Sequence, residues 1–247
     1  MRKSQLFLSK FDNALMMEIH EYLTAIGISK KDDISIIEVG NYKGKDDKSD
    51  TDLFIFLNNS IHYKGIESIR GGIIRMQIQL RTFSDLKSLS HQISSWEKLS
   101  DAYLIINGRI IHDNTGLLKT SILDLKKIFY DDETYFGLIF QRLNYCVQAI
   151  SKYQTKEFSI SRNVVKAYIS HEIIVSCLAM RRHVYPGPSR VEYLLAFEEF
   201  NDLSKYCNNI NRYTDTDFIQ VTNILLRTYG VFQLLEAGKE FVKIFET

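Results

Sequence analysis

Two aspartates, Asp50 and Asp52, open the apolar run Leu53-Phe54-Ile55-Phe56-Leu57, and a polar loop joins them to an earlier apolar stretch that ends at Val39-Gly40-Asn41. Side chains at i and i+2 of a strand share a face, so both carboxylates are expected to point one way, their Cα atoms ~7 Å apart. Such a pair is a platform for a hard cation. Mg²⁺ binds through one or two carboxylates, keeps several waters, and takes further ligands from substrate phosphates, where it aligns and neutralises an in-line phosphoryl displacement. The small, polar residues of the loop, Gly40, Asn41 and Ser49 among them, leave backbone N–H groups for phosphate oxygens. A bare Asp-x-Asp beside Asp46 and Asp47 reads as a solvated acidic turn; the two-faced apolar strand that follows is what directs it toward chemistry.

Other candidates are more scattered. Gln77 and Gln79 fall on one face of an alternating stretch, Ile74-Arg75-Met76-Gln77-Ile78-Gln79-Leu80, that holds no acid. A glutamine oxygen, as at Gln77, can coordinate a metal weakly, but it carries no charge and takes no proton. Glu172 lies among Ile169, Ile173 and Ser176 at helical spacing, where burial would raise its pKa toward that of a useful base; the alternative is a helix-surface glutamate or a partner of Lys166. Arg181, Arg182, His183 and Arg190 bracket a Pro186-Gly187-Pro188 loop. One arginine, with Arg190 as the candidate, could clamp a triphosphate, while cations at a helix C-terminus are favoured by its dipole in any case. Asp215-Thr216-Asp217 begins a helix, with Asp215 expected at its N-cap, and receives no chemistry. The three cysteines are widely spaced, the six histidines lack ligand spacing, and both read as structural.

The elements that must position these groups follow from periodicity. A helix is expected over 11–26, closed by Gly27, then strands over 34–39 and 53–57, and a long strand over 73–82 after the Gly71-Gly72 break. A helix over 84–96 with Ser84 as N-cap precedes two short strands, 102–106 and 109–112, around Asn107-Gly108. Helices near 133–151, 164–182, 190–207, 215–228 and 231–245 complete the chain. An α+β protein is therefore expected, with a mixed sheet and flanking helices over residues 1–125, an all-α bundle over 126–247, and a cleft between them.

The 247 residues include 31 basic and 30 acidic side chains, with 16 against 15 up to Thr120 and 15 of each after it. Neither half carries the basic excess of a nucleic-acid or anionic-membrane binder. No run approaches the ~20 apolar residues of a membrane span, and Leu6-Phe7-Leu8, interrupted by Lys10 and Asp12, is no secretory core, so a cytoplasmic location is expected.

The segment from Gly40 to Leu53 resembles the signature of the nucleotidyltransferase superfamily: a hydrophobic residue, Gly, then Gly or Ser, a loop of about ten residues, and Asp-hydrophobic-Asp-hydrophobic. Asn41 stands where Gly or Ser is usual, and Thr51 is less apolar than the pattern. The stretch AYLIINGRIIHDNTG (102–116) looks like the one that closes this domain in small-molecule nucleotidyltransferases. CLAMRRHVYPGPSRVEYL (177–194) is similar to a helix-loop-helix in the helical domain of kanamycin nucleotidyltransferase-like proteins. The resemblance implies that Asp50 and Asp52 hold the metal of a nucleoside triphosphate, that Gly40 and Asn41 grip its phosphates, and that Glu172 deprotonates the hydroxyl of a small-molecule acceptor, with a homodimeric site as one option. It also implies a further carboxylate on a neighbouring strand, where this sequence has Gln77 and Gln79. Two alternatives follow: a catalytically degenerate nucleotide-binding or regulatory module, and transfer to a protein or RNA acceptor, with RNA disfavoured by the neutral charge.

Overall fold

A computed structural model describes residues 2–28, 34–39, 51–58, 66–70, 75–91, 93, 95–155, 161–184 and 188–237. The fold is α+β, and the chain divides into two compact units, Met1–Gln92 with Leu104–Lys127, and Ile93–Tyr103 with Ile128–Thr247.

The first unit is built on a five-stranded mixed sheet. After helix α1 (Arg2–Ala25) come β1 (Ile34–Val39), β2 (Thr51–Leu57), β3 (Ile66–Arg70) and β4 (Arg75–Thr82), then helix α2 (Phe83–His91), helix α3 (Trp96–Ile106), most of which belongs to the second unit, strand β5 (Arg109–Asp113) and helix α4 (Leu117–Tyr130), most of which belongs to the first. The strand order is β3-β4-β2-β1-β5, with β2 in the centre, parallel to β4 and antiparallel to β1. Ile36, Leu53, Ile55, Ile78 and Leu80 form one buried face with Leu15, Ile19 and Leu23 of α1. Phe54 and Phe56, on the opposite face of β2, are buried as well. Burial on both sides is why the five apolar residues of β2 run without alternation.

Several expected elements change. Residues 102–106 are the end of α3, not a strand: Leu99, Ala102, Tyr103 and Ile106 repeat at three and four, all are buried, and the Ser95 hydroxyl accepts the Lys98 N–H at 3.3 Å near the helix start. A short apolar run does not by itself distinguish a buried helix from a strand. The expected helix over 84–96 ends at His91, and its cap is Thr82 rather than Ser84: the Thr82 hydroxyl accepts the Asp85 N–H at 3.0 Å while the Asp85 carboxylate accepts the Thr82 N–H at 3.0 Å. Strand β3 and helix α4 are additional. The latter buries Leu118, Ile122, Leu125 and Phe129 at spacings of three and four.

The second unit continues with α5 (Asp132–Thr155), α6 (Arg162–Met180), α7 (Pro188–Leu195), α8 (Asn201–Asn209) and α9 (Asp215–Thr228), with 3₁₀ turns at Glu198–Phe200 and Ile210–Arg212 and further helix at 231–237. The single helix expected over 190–207 is broken at Phe197, whose backbone is extended (φ −82°, ψ 145°), and Phe200 is then fully buried with its ring 5.5 Å from that of His183. Thr214, not Asp215, caps α9, in a reciprocal pair with Asp217. Asp215 instead accepts the Tyr153 hydroxyl at 2.6 Å and pairs with Arg162 at 3.3 Å. Cys146 and Cys177 are buried and Cys207 half-buried in helices; burial pushes the Cys146 thiol up to about 12 and Cys207 to about 11.

Candidate functional site

The end of the sheet where β1 stops and β2 starts carries the first set of candidates. Val39, Asp52 and Gln77 are successive register partners across β1, β2 and β4, and Ser68 of β3 is the next. Register partners share a face, and neighbouring strands lie roughly 4.8 Å apart. Gln77 is therefore the residue directly beside Asp52. Asp52 is half-buried and Gln77 exposed, so this rung meets solvent. Asp50, Gly40, Asn41 and Ser49 lie outside the described residues.

One rung further, Phe54 is the register partner of Gln79. Gln79 is committed elsewhere: its amide oxygen accepts an N–H of Arg81 at 2.9 Å, and the Arg81 guanidinium lies 4.1 Å from the centroid of the Phe54 ring. Of the two glutamines that the alternating pattern put on one face, the register selects Gln77. Arg81 is the residue that sequence reasoning missed here; its i+4 relation to Gln77 on an alternating strand was the available signal.

Glu38 is a second carboxylate at this end of the sheet, but it pairs in register with Leu53 and so lies on the opposite face from Asp52. Its side chain is 7% exposed, and Arg109 of β5 donates to it through Nε and Nη2 at 2.9 and 2.7 Å. Gly108 permits this arrangement: a Cβ there would sit 2.6 Å from Ile37 Cδ1 and 2.9 Å from the Glu38 carbonyl oxygen.

The second set lies in the helical unit. Glu172 of α6 is buried, and its two carboxylate oxygens lie 3.1 and 3.0 Å from Nη2 of Arg142 on α5. Nδ1 of His171 is 3.2 Å from Glu172 Oε1, and the Arg142 guanidinium covers the Trp96 ring at 4.5 Å. Nearby, the hydrogen bond with Tyr145, followed by burial, pushes the Tyr168 hydroxyl up to about 12. Glu172 is thus neither a surface residue nor the partner of Lys166, whose amine donates to the Tyr213 carbonyl at 2.5 Å. His171, Lys166, Ser170, Glu192, Cys207 and Asn208 help to line an open cleft of about 940 Å³ within this unit.

The arginines separate by role. Arg182, at φ 59°, donates to the Phe129 carbonyl at 2.6 Å, pairs with Asp132 and covers the Tyr135 ring at 4.5 Å, so its cation ties the end of α6 to the α4–α5 turn. Arg181 closes α6 with its guanidinium 5.5 Å from the Tyr229 ring. Arg190 is in α7, and its side chain lies outside the described residues.

Among the described residues, no group of three or more His, Cys, Asp or Glu side chains could hold a metal ion, and no helix is long and apolar enough to cross a membrane. No family model and no curated protein matches the chain. Among solved structures it is similar to a nucleotidyltransferase-like protein from Exiguobacterium sibiricum 255-15, at 12% identity over 95% of this chain and 79% of that one, with a TM-score of 0.49.

Proposed function

We propose that this protein transfers a nucleoside monophosphate from a nucleoside triphosphate, with Mg²⁺, to a hydroxyl of a small molecule. The observation that carries the reading is the Gly40–loop–Asp50-Thr51-Asp52 unit, whose second aspartate stands at the start of the central strand with Gln77 beside it. The donor set fits a hard cation: the Asp52 carboxylate and Gln77 amide oxygen occupy one rung, and Asp50 is two residues away on the chain. When bound, Mg²⁺ would neutralise charge on the triphosphate and on the departing pyrophosphate.

In this reading Asp50 and Asp52 hold the cation. Gly40, Asn41 and Ser49 hold phosphate oxygens. The acceptor oxygen bonds to the α-phosphorus as pyrophosphate leaves, and its proton passes to a general base; Glu172, whose carboxylate already meets Arg142 and His171, is not assigned that step. The cleft in the helical unit, with lysine, histidine, asparagine and serine along its wall, suits a polar small molecule.

Calorimetric titration with each nucleoside triphosphate, in Mg²⁺ and in EDTA, tests the phosphate site. Binding that depends on Mg²⁺ and disappears in the Asp50→Asn/Asp52→Asn double variant supports the reading; unchanged binding in that variant sinks it. Gln77 favours a second reading, a nucleotide-binding module without turnover, because an amide adds no charge to the rung. That reading requires Mg²⁺-dependent binding with no pyrophosphate release in the presence of hydroxyl-bearing small molecules, or of protein and RNA acceptors from extract.

A further inference from the structure

The cleft in the helical unit sorts its groups by depth. Its half-buried floor is mostly apolar: Val191 and Leu195 lie four apart on one face of α7, Ile174 comes from α6, and Cys207 and Ile210 come from the end of α8 and the turn after it. Burial pushes the Cys207 thiol up to about 11, so it stays neutral and belongs with the apolar set. Asn163, Glu192, Asn208 and Asn211 are exposed and stand at the rim. An open cavity of about 940 Å³ with an apolar floor and a polar rim suits a molecule built the same way, a hydrocarbon body below a polar head.

The charges along the wall set the sign of that head. The Lys166 amine donates to the Tyr213 carbonyl at 2.5 Å and lies 5.2 Å from the centroid of the Phe218 ring, so this cation is satisfied within the protein. Glu192, among the described residues, has neither a hydrogen bond nor an ion pair. An uncompensated carboxylate beside an apolar floor complements a protonated nitrogen carried on a hydrocarbon chain. We propose that this cleft binds a small amphiphilic amine, with its hydrocarbon body against Ile174, Val191 and Leu195 and its ammonium group at Glu192. The site goes beyond the nucleotide reading and requires neither the triphosphate nor the metal.

The test is calorimetric titration of the full chain at pH 7.5 in EDTA, without nucleotide, using n-hexylamine, n-hexanol and ethanolamine as probes and the wild type, Glu192→Gln and Leu195→Ala as proteins. The wild type is expected to bind hexylamine at least tenfold more tightly than ethanolamine, which lacks the body, and about fivefold more tightly than hexanol, which lacks the charge. Glu192→Gln should bring hexylamine down to the level of hexanol and leave hexanol unchanged, whereas Leu195→Ala should weaken both by about threefold. Equal binding of hexylamine and hexanol by the wild type, or unchanged hexylamine binding in Glu192→Gln, overturns the proposal by removing the ammonium contact. Ethanolamine matching hexylamine, unchanged binding in Leu195→Ala, or a wild type that binds none of the three overturns it by removing the floor. Glu192 is exposed, so its variant keeps the test decisive should Leu195→Ala fail to fold. Mg²⁺-dependent triphosphate binding, and its loss in Asp50→Asn/Asp52→Asn, is read in a separate titration, so the nucleotide reading stands or falls independently.

Discussion

The open end of the sheet and the Glu172 cluster are both polar, and they treat their polar groups in opposite ways. At the sheet end Gln77 is exposed and Asp52 half-buried, and the nearby Arg81 guanidinium lies over the Phe54 ring and donates to the Gln79 amide oxygen. In the helical unit Glu172 is 7% exposed in its side chain and meets Arg142 at both oxygens, with His171 on one of them and Trp96 behind the arginine. A buried ion pair is costly to break because the remaining charge loses both its partner and water. Solvent-reached polar groups on a rigid strand cost little to re-partner, which suits a place where ligands come and go. The groups at the sheet end can change partners at little cost, whereas the Glu172 cluster holds its own.

The largest expected effect comes from breaking the buried pair. Arg142→Met strands the Glu172 carboxylate and should lower unfolding stability by about 3 kcal/mol, read by urea denaturation; a loss below about 0.5 kcal/mol would erase the contrast between the two regions. Next is Gly108→Ala. Its Cβ meets Ile37 and the Glu38 carbonyl at under 3 Å, so the β1–β5 pairing must shift, at a cost of about 1–3 kcal/mol in the same assay.

Gln77→Asp sharpens the contrast from the other side. It should leave stability within about 0.5 kcal/mol, as at an exposed position, while strengthening Mg²⁺ or Mn²⁺ binding in calorimetry by roughly tenfold. A destabilised variant without better metal binding would show that the rung is packing rather than platform.

The smallest effect concerns the cap of α9. Hydrogen bonds from Thr214 hold the exposed Asp217 carboxylate below its usual pKa. A carboxylate whose folded pKa is depressed stabilises the fold above its unfolded pKa of about 3.9, and that contribution fades as pH falls through the lower folded value. Thr214→Ala should therefore melt slightly below the wild type at pH 6, and the gap should narrow as pH falls below 4, leaving the part due to the Asp217 N–H bond to the Thr214 hydroxyl; a gap that stays constant into acid would show that the Asp217 carboxylate contributes nothing to the cap.

Much of the framework was legible before the structure. The helix Asp215–Thr228 follows from helical spacing, the strands Ile34–Val39 and Thr51–Leu57 were expected over 34–39 and 53–57 from short apolar runs bounded by polar loops, and Gly27, at φ +83°, stands where a helix must stop. The errors cluster where two structures share one pattern. The five apolar residues 102–106 satisfy a buried strand and a buried helix equally, and only packing around Leu99 and Tyr103 separates them. The run over 190–207 has continuous helical spacing, and burial of Phe200 requires the break at Phe197.

The candidate site divides in the same way. The sequence by itself determined that Asp50 and Asp52 precede an apolar strand after a Gly-containing loop, because spacing along one chain is a local property. It also placed Glu172 on an apolar helix face. Tertiary structure alone decided that Gln77 rather than Gln79 stands beside Asp52, that Glu38 faces away from it, that Arg81 lies over Phe54, and that Arg142, thirty residues before Glu172, is the partner of that carboxylate. The reason is physical: periodicity fixes the face on which a side chain lies, whereas strand register and helix pairing are set by the packing of segments far apart in the chain.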